Sequence, residues 1–178
     1  MTDRHSSLKV PVGQRVDLPV TPAQLREGEL FGAMPDEVLE HLCSTLKTLR
    51  IAPGEAIFRE GDAGHELFVV LEGEFEVTKK SRRGRETRVA IFGPNDTFGE
   101  MSLIDLQPRS ATVRALGPGR ILRIGSEDMD ALYRFDLKSY TLIVLNIARE
   151  MSRRLRVTDG LLADIASNIL EEYVTSKK

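Results

Sequence analysis

The stretch FGEMSLIDLQPRSATV, residues 98–113, places two charged side chains among apolar ones in a pattern that could bind an anion. Gly99 follows a strand-like segment, DTF, and the next residues, EMSLI, can form one helical turn with free backbone N–H groups. Arg109 adds a planar guanidinium suited to the paired oxygens of a phosphate. Glu100 would repel a phosphate, so it must accept hydrogen bonds from other groups, such as hydroxyls. Ser110 offers a further donor.

A ligand with one phosphate-like anion and a nearby hydroxyl would satisfy both charged residues. The alternative is that Glu100 and Arg109 form a structural ion pair with each other. Spacing alone favours the ion pair, because structural pairs are common in proteins.

The two segments that precede Ile51 differ in the spacing of their apolar residues. Residues 1–27 contain several prolines and no sustained periodicity, which predicts an extended or partly disordered lead-in. From Pro35, apolar residues recur at intervals of three and four, which predicts a helix. The residues of this apolar stripe are Val38, Leu39, Leu42, Leu46 and Leu49.

Between Ile51 and about Gly125, short apolar runs alternate with turn residues at intervals of roughly ten. The runs are EAIF, LFVVL, EFEVT, RVAIF, ATVRAL and RILRI. This spacing predicts a sandwich, jelly roll or barrel.

Helical periodicity returns after Ser126, where SEDMDALYRF begins with a serine and acidic residues. A longer helix is predicted from about Asp136. Gly160 is either tolerated within this helix or ends it, and the sequence leaves both possibilities open. The apolar stripe predicted for this helix comprises Tyr140, Val144, Ile147, Met151 and Leu155.

Composition excludes several classes of function. The 178 residues carry a net charge of −2, so no global basic field attracts nucleic acid or anionic membrane. The sequence has no apolar signal region and no run of about 18 uncharged apolar residues. One cysteine, Cys43, predicts a reducing compartment, the cytoplasm. Three scattered histidines predict neither a metal site nor a catalytic triad, so we expect no enzyme activity.

The stretch at residues 98–113 resembles the phosphate-binding cassette of the cyclic nucleotide-binding domain family, shared by catabolite-activator-type regulators and kinase regulatory subunits. FREGDAGHELFVVLEGEFEV is similar to the early strands of that family, and the resemblance covers about residues 30–173. It implies a mainly β fold with flanking α-helices: a cyclic nucleotide-binding β jelly roll (double-stranded β-helix) with an N-terminal helix and C-terminal helices. Residues 28–135 would form the jelly roll with its flanking helices, and residues 136–178 a lid or dimerisation helix.

The same resemblance implies cAMP or cGMP as the ligand. Glu100 would accept a hydrogen bond from the ribose 2′-hydroxyl, and Arg109 would clamp the cyclic phosphate. Ser110 and the backbone N–H groups of residues 100–102 would complete the phosphate cradle. The cassette residues expected to bind the ligand are Gly99, Glu100, Met101, Ser102, Arg109, Ser110 and Ala111.

The base is predicted from the C-terminal helix. MSRRLRVTD, residues 151–159, resembles the dimer helix of bacterial cAMP regulators, in which a threonine at the place of Thr158 meets the adenine amino group. Asp159 departs from the family pattern, which often has serine there, although a carboxylate can accept from adenine N6 and would repel guanine O6. We therefore expect cAMP to be preferred over cGMP. The alternative is that Thr158 and Asp159 mark a helix end before Gly160.

These observations predict a cyclic nucleotide sensor that moves its C-terminal helix, forms a homodimer through that helix and controls an effector protein. The alternative is a catabolite-activator-type transcription regulator without its DNA-binding domain. Since the sequence ends soon after the last apolar run, we expect no direct DNA binding. From the composition, we also expect no membrane partner and no cofactor beyond the nucleotide. The basic run KKSRRGRETR, residues 79–88, predicts a solvated hairpin tip or, alternatively, a docking patch for an acidic partner.

Overall fold

A computed structural model describes the backbone of residues 14–16 and 19–175 and the side chains of residues 19–168. In this part of the chain, nine strands form two antiparallel sheets, in the orders β1-β2-β9-β4-β7 and β3-β8-β5-β6. The strands are β1 (Gln14–Val16), β2 (Lys47–Ile51), β3 (Ala56–Phe58), β4 (Glu66–Glu72), β5 (Phe75–Lys80), β6 (Glu86–Phe92), β7 (Thr97–Phe98), β8 (Thr112–Ala115) and β9 (Gly119–Gly125). The helices are α1 (Pro22–Glu27), α2 (Asp36–Thr45), α3 (Glu100–Ile104), α4 (Ser126–Phe135) and α5 (Leu137–Thr175), and Glu29–Phe31 forms a 3₁₀ turn.

The predicted jelly roll with flanking helices is confirmed. Each of the six apolar runs coincides with most or part of one strand, and DTF contributes β7. EMSLI is the short helix α3, and SEDMDALYRF is α4. The sequence therefore predicted the elements on both sides of the cassette correctly.

The predicted extended or partly disordered lead-in over residues 1–27 fails at its C-terminal end, whereas Gln14–Val16 is the extended strand β1. Pro22–Glu27 is helical, and Thr21 and Gln24 form a capping box at its start. Leu25 is buried in the core, which fixes this helix against the domain. Thr21-Pro22-Ala23-Gln24 carried both signals, a cap three residues before a glutamine and a proline in the first turn. Residues 1–13 and 17–18 lie outside the described residues.

The helical stripe predicted from Pro35 extends too far. Helix α2 ends at Thr45, and Leu49 lies in β2, opposite Ile121 of β9. Its spacing from Leu42 and Leu46 fits a helix, but each residue of β2 pairs with a residue of β9. Long-range pairing decided this segment, and local spacing does not reveal it.

Strand β4 separates two parts of the core. Leu67 and Val69 face a cluster formed with the helices, whereas Phe68 and Val70 face the interior between the two sheets. Both faces of the strand are therefore covered, which explains why LFVVL is a continuous apolar run. Phe98 of β7 lies in the interior cluster, immediately before the cassette.

Helix α5 is continuous through Gly160, so the alternative of a helix end before this glycine is wrong. Its 39 residues correspond to a length of roughly 58 Å. Ile143 and Ile147 are buried against the domain, whereas Leu155 and Leu161 are exposed. The first part of α5 is thus anchored, and the rest projects from the domain.

Gly160→Ala should raise the helicity of the chain and stabilise it by about 0.5–1 kcal/mol, because alanine loses less backbone entropy in a helix. An added Cβ meets nothing within 4 Å at this position. The measurement is urea unfolding followed by circular dichroism.

Gly84→Ala is the matched control. Its Cβ also has open space, but Gly84 has a φ of +77°, so alanine is strained there and should destabilise the chain by about 1 kcal/mol. A loss of helicity in Gly160→Ala would contradict the continuous helix.

Candidate functional site

Arg109 lies between α3 and β8, and its side chain is almost completely buried. Its Nη1 donates to the carbonyl oxygens of Glu66 (2.7 Å) and Gly99 (2.9 Å). Its Nη2 donates to the Glu66 carboxylate at 3.0 Å. One residue at the start of β4 therefore holds both the charge and the orientation of the guanidinium.

Two glycines leave the space that this guanidinium fills. A Cβ at Gly64 would lie 2.5 Å from Arg109 Nε, and one at Gly99 would lie 2.8 Å from Nη1. Gly99 also has a φ of +85°, which favours glycine at the entrance to α3. The Phe58 ring lies below the guanidinium, 4.2 Å from its central carbon.

The main chain of Arg109 is fixed as well. Its N–H donates to Asp62 O at 2.9 Å, and its carbonyl accepts from Gly61 N at 2.8 Å. Burial lowers the pKa of Arg109, whereas the charges of Glu66, Asp62 and Glu100 raise it. Its Nε is buried and has no hydrogen-bond partner within the described residues. One buried donor is thus left for another acceptor.

Glu100, the first residue of α3, is also buried. Its carboxylate accepts from Arg154 Nη1 of α5 at 3.1 Å. Arg154 is held in turn by the carbonyl of Thr97 at 2.5 Å and by Glu150 at 2.8 Å, and it lies over the Phe92 ring. Arg154 therefore connects α5 directly to the cassette.

Burial raises the pKa of Glu100 above its ordinary value, because the charged carboxylate loses hydration. The positive charge of Arg154 opposes this shift, and the negative charge of Glu150 adds to it. The ion pair with Arg154 therefore offsets part of the cost of burying the carboxylate.

The structural ion pair considered between Glu100 and Arg109 does not form among the described residues. Glu100 pairs with Arg154, and Arg109 pairs with Glu66. Sequence reasoning missed both partners. Arg154 lies in the stretch MSRRLRVTD, four residues and about one helical turn before Thr158. It would therefore face the same side of the helix as Thr158, and this spacing is the signal that could have identified it. No local signal marked Glu66.

The other predicted cassette residues lie around α3. Ser102 is buried, Ala111 is half-buried, and Met101 and Ser110 are exposed. The hydroxyl of Ser110 donates to Met101 Sδ at 3.6 Å, which brings the end of the cassette back to its helix. The structure therefore gathers the predicted residues 99–102 and 109–111 into one place.

Thr158 and Asp159 lie apart from this group. Both are exposed on α5, and the Thr158 hydroxyl donates to the Arg154 carbonyl at 2.9 Å. In the part of the chain with described side chains, neither forms a hydrogen bond to the cassette. They lie about one turn beyond Arg154, on the helix that already reaches Glu100.

A cavity of about 410 Å³ borders Glu100 on the side of α5 and the N-terminal 3₁₀ turn. Its lining carries five acids against one cation, Arg153; the acids are Glu27, Glu29, Asp96, Glu100 and Glu150. Because this acidic lining would repel a phosphate, the cavity does not suit the anion. Arg109 is not among its lining residues, so the cation of the cassette lies elsewhere.

The fold and this arrangement define a regulatory domain of the cyclic nucleotide-binding class. The model of one protein family, described as the cyclic nucleotide-binding domain, matches residues 48–135. The N-terminal domain of a transcriptional regulator from Streptomyces coelicolor is 32% identical, with a TM-score of 0.66, over 76% of this chain and 94% of that one. The chain belongs to the cyclic nucleotide-binding domain family.

Two further relatives show the range of the family. A CRP-like cAMP-activated global transcriptional regulator of Mycobacterium tuberculosis is 30% identical over 141 residues, 79% of this chain and 61% of the relative. The regulatory domain of Toxoplasma gondii PKA, in a co-crystal structure with cAMP, is 30% identical with a TM-score of 0.57, over 62% of this chain and 42% of that one. The chain thus spans about three fifths of the length of the bacterial regulator.

Among the described helices, none combines the length and apolar character that crossing a bilayer requires.

Arg154→Met should destabilise the chain by about 1–3 kcal/mol at neutral pH, because it leaves the Glu100 carboxylate buried without its ion pair. The loss should shrink on acidification. As the pH falls through the raised pKa of Glu100, the carboxyl takes up a proton and no longer needs the guanidinium. Urea unfolding at a series of pH values measures this effect.

The control is the same substitution in a Glu100→Gln background. In that background, Arg154→Met should cost less stability and show no pH dependence from this pair, because residue 100 has no charge to lose its partner. The contacts of Arg154 with Thr97 and Glu150 are lost in both backgrounds, so their contribution cancels in the comparison. Equal losses in the two backgrounds would contradict the assigned pairing.

Proposed function

We propose that this chain is a cAMP sensor that prefers cAMP to cGMP and changes the position of α5 to control a partner protein. The observation that carries the proposal is the buried guanidinium of Arg109, fixed by Glu66, with one buried donor to spare beside a buried Glu100. The proposal assigns the chain no catalytic step, needs no metal or cofactor beyond the nucleotide and assumes a cytoplasmic protein.

The cyclic phosphate is assigned to Arg109. Its positive charge is fixed in place before any ligand arrives, so binding needs little reorganisation of this side chain. Glu66 carries one negative charge and contacts two cations, Arg109 and Arg123. The three side chains together keep a net charge of +1, which a cyclic phosphodiester with its single negative charge would balance. Ser110 and the backbone N–H groups of residues 100–102 supply further donors, as the family resemblance implies.

The ribose is assigned to Glu100. A buried carboxylate at the start of α3 can accept a hydrogen bond from a hydroxyl. The nearby positive charge of Arg109 lowers the pKa of Glu100 and so favours the charged form that accepts this bond. A phosphate would be repelled there, whereas the 2′-hydroxyl of a ribose would not. The two charged residues of the cassette thus take different ends of one ligand.

The adenine base is assigned to Thr158 and Asp159. Both oxygen-bearing side chains are exposed on α5 and can accept from an exocyclic amino group. Two relatives support this choice, since one is named as cAMP-activated and another was crystallised with cAMP.

The coupling to α5 is assigned to Arg154. Its Nη1 hydrogen-bonds to Glu100 Oε1, so a ribose hydroxyl must share the carboxylate or displace the guanidinium. Either change alters a contact that holds α5 against the domain. Ligand binding can therefore shift the position of the helix through a difference in contacts between two states.

The homodimer is assigned to the projecting part of α5. The predicted stripe divides: Ile147 is buried against the domain, whereas Val144 and Leu155 are exposed. Further exposed apolar residues along α5 could pack on a second copy of the helix. These residues are Leu145, Val157, Leu161, Leu162 and Ile165.

A second candidate is that the chain is the sensing part of a catabolite-activator-type transcription regulator. The 30% identity with the M. tuberculosis regulator favours this reading. Joining this chain to the DNA-binding domain of a catabolite-activator-type regulator tests it: a cAMP-dependent shift of duplex DNA by the fusion in a gel would support this candidate over the control of a separate effector.

Calorimetric titration with cAMP and cGMP tests the proposed ligand. We expect one site per chain and tighter binding of cAMP. Arg109→Leu should weaken cAMP binding by about 3 kcal/mol or more, because the phosphate loses a charged hydrogen bond. Glu100→Gln should cost about 1.5–3 kcal/mol, and 2′-deoxy-cAMP should lose a comparable amount on the native chain.

Arg134→Leu, at an exposed position of α4, makes the same chemical change away from the site and should bind cAMP normally. Failure of the native chain to bind either nucleotide would overturn the proposal. Equal affinities for cAMP and its 2′-deoxy analogue would contradict the assignment of Glu100 to the ribose 2′-hydroxyl.

Analytical ultracentrifugation tests the dimer. Leu155→Lys with Leu162→Lys places two charges seven residues apart on one face of α5 and should shift a dimer towards monomer, because the charges would be buried in the interface. Leu106→Lys, at an exposed position outside α5, is the control and should leave the dimer intact. A native chain that sediments as a monomer would contradict the assignment.

A further inference from the structure

The hairpin that joins β5 to β6 concentrates positive charge on a chain that is acidic overall. Residues 79–88, the basic hairpin, contain six basic residues and one acidic residue, a net charge of +5. Because the whole chain has a net charge of −2, the remaining residues carry −7. We propose that the basic hairpin is a docking surface for an acidic segment of a partner protein.

The hairpin presents its charges on an ordered backbone. Ser81 N donates to Arg85 O, and Gly84 N donates to Ser81 O, both at 2.8 Å. The Ser81 hydroxyl accepts from Arg85 N at 3.1 Å. These bonds close the turn, so a partner would meet arginines at fixed positions and lose less entropy on binding.

Five of the six cations are available to a partner. Arg88 is paired with Glu76, which is buried under the side chains of Arg88 and Arg114. The other five are exposed and form no ion pair within the described residues. They are Lys79, Lys80, Arg82, Arg83 and Arg85.

The acids near the hairpin have their own hydrogen bonds. Glu86 accepts from the Thr78 hydroxyl at 2.5 Å, and Glu60 accepts from the backbone N–H of Lys80 at 2.9 Å. They reduce the local field without pairing with the arginines of the tip. The positive charge of the tip therefore remains uncompensated by close contacts.

The shape and neighbours of the hairpin favour a protein segment over a nucleic acid or a membrane. A duplex or a lipid surface is a wide polyanion and would also meet the acidic remainder of the chain, whereas a short segment contacts only the basic hairpin and the residues beside it. The Debye length of about 8 Å at physiological ionic strength confines the attraction to such close contacts. The hairpin also contains no aromatic residue on which bases could stack.

Two exposed apolar residues lie beside the charges. Val89 and Ile91 follow the basic hairpin on β6 and are 58% and 49% exposed. Strand β6 is an edge of its sheet. An acidic segment that also carries apolar side chains would contact both features, which a phosphate backbone would not.

Fluorescence anisotropy on the full chain tests this docking surface with a short labelled peptide of alternating Glu and Val residues. Charge reversal of the tip, Arg82→Glu with Arg83→Glu and Arg85→Glu, should weaken peptide binding about tenfold or more. Lys47→Glu with Arg134→Glu and Lys138→Glu makes the same change in net charge at exposed positions elsewhere and should change the affinity little.

A second pair of measurements separates the apolar contribution. Val89→Ser with Ile91→Ser should weaken binding of the Glu-Val peptide by about threefold to tenfold and leave an alternating Glu-Gly peptide unaffected. Equal peptide binding by the native chain and the tip variant would overturn the proposal. Tighter hairpin-dependent binding of duplex DNA or phosphatidylserine vesicles than of the peptide would overturn it as well. The proposal stands independently of the cyclic nucleotide site.

Discussion

The cassette depends on keeping one arginine charge inside the domain. A buried guanidinium is stable only when its charge and its donors are largely matched, and here Glu66 supplies a carboxylate and a carbonyl oxygen. Gly64 and Gly99 then become necessary, because any larger side chain would overlap the guanidinium. Through its hydrogen bonds, Arg109 joins the start of β4 and the turn before α3 to the segment before β8.

The second charged pair serves a different purpose, since its members come from distant parts of the chain. Glu100 belongs to the cassette and Arg154 to α5, 54 residues later. The pair is therefore tertiary, and together with the Arg154 hydrogen bond to the Thr97 carbonyl it links the jelly roll to the helix that projects from it. Because burial raises the pKa of Glu100, acidification removes the charge from this link at a higher pH than it would for an ordinary carboxylate.

Much of the fold could be read from the sequence because its signals are local. Patterns only a few residues long predict most of the elements. They are the short apolar runs, the turn glycines and the helix start at Ser126. Leu49 was assigned to a helix because only pairing with β9 identifies it as a strand residue. The prolines among residues 1–27 predict an extended lead-in, but Pro22 is in the first turn of a helix that Thr21 and Gln24 cap.

The site followed the same division. Glu100, Arg109 and their small neighbours are adjacent in sequence, so a motif identifies them. Glu66 lies 43 residues from Arg109, and no periodicity connects a charge to a partner at that distance. The motif thus showed which residues carry charge, whereas the structure showed how each charge is held.

The length of α5 has a mechanical consequence. From Arg154 to Thr175 the helix continues for roughly 30 Å, and it does so without interruption at Gly160. A rigid rod that pivots near Arg154 by about 10° carries its far end through about 5 Å, the height of one helical turn. A sub-ångström exchange of hydrogen bonds in the barrel would thereby become a displacement large enough to bring one surface into register with another.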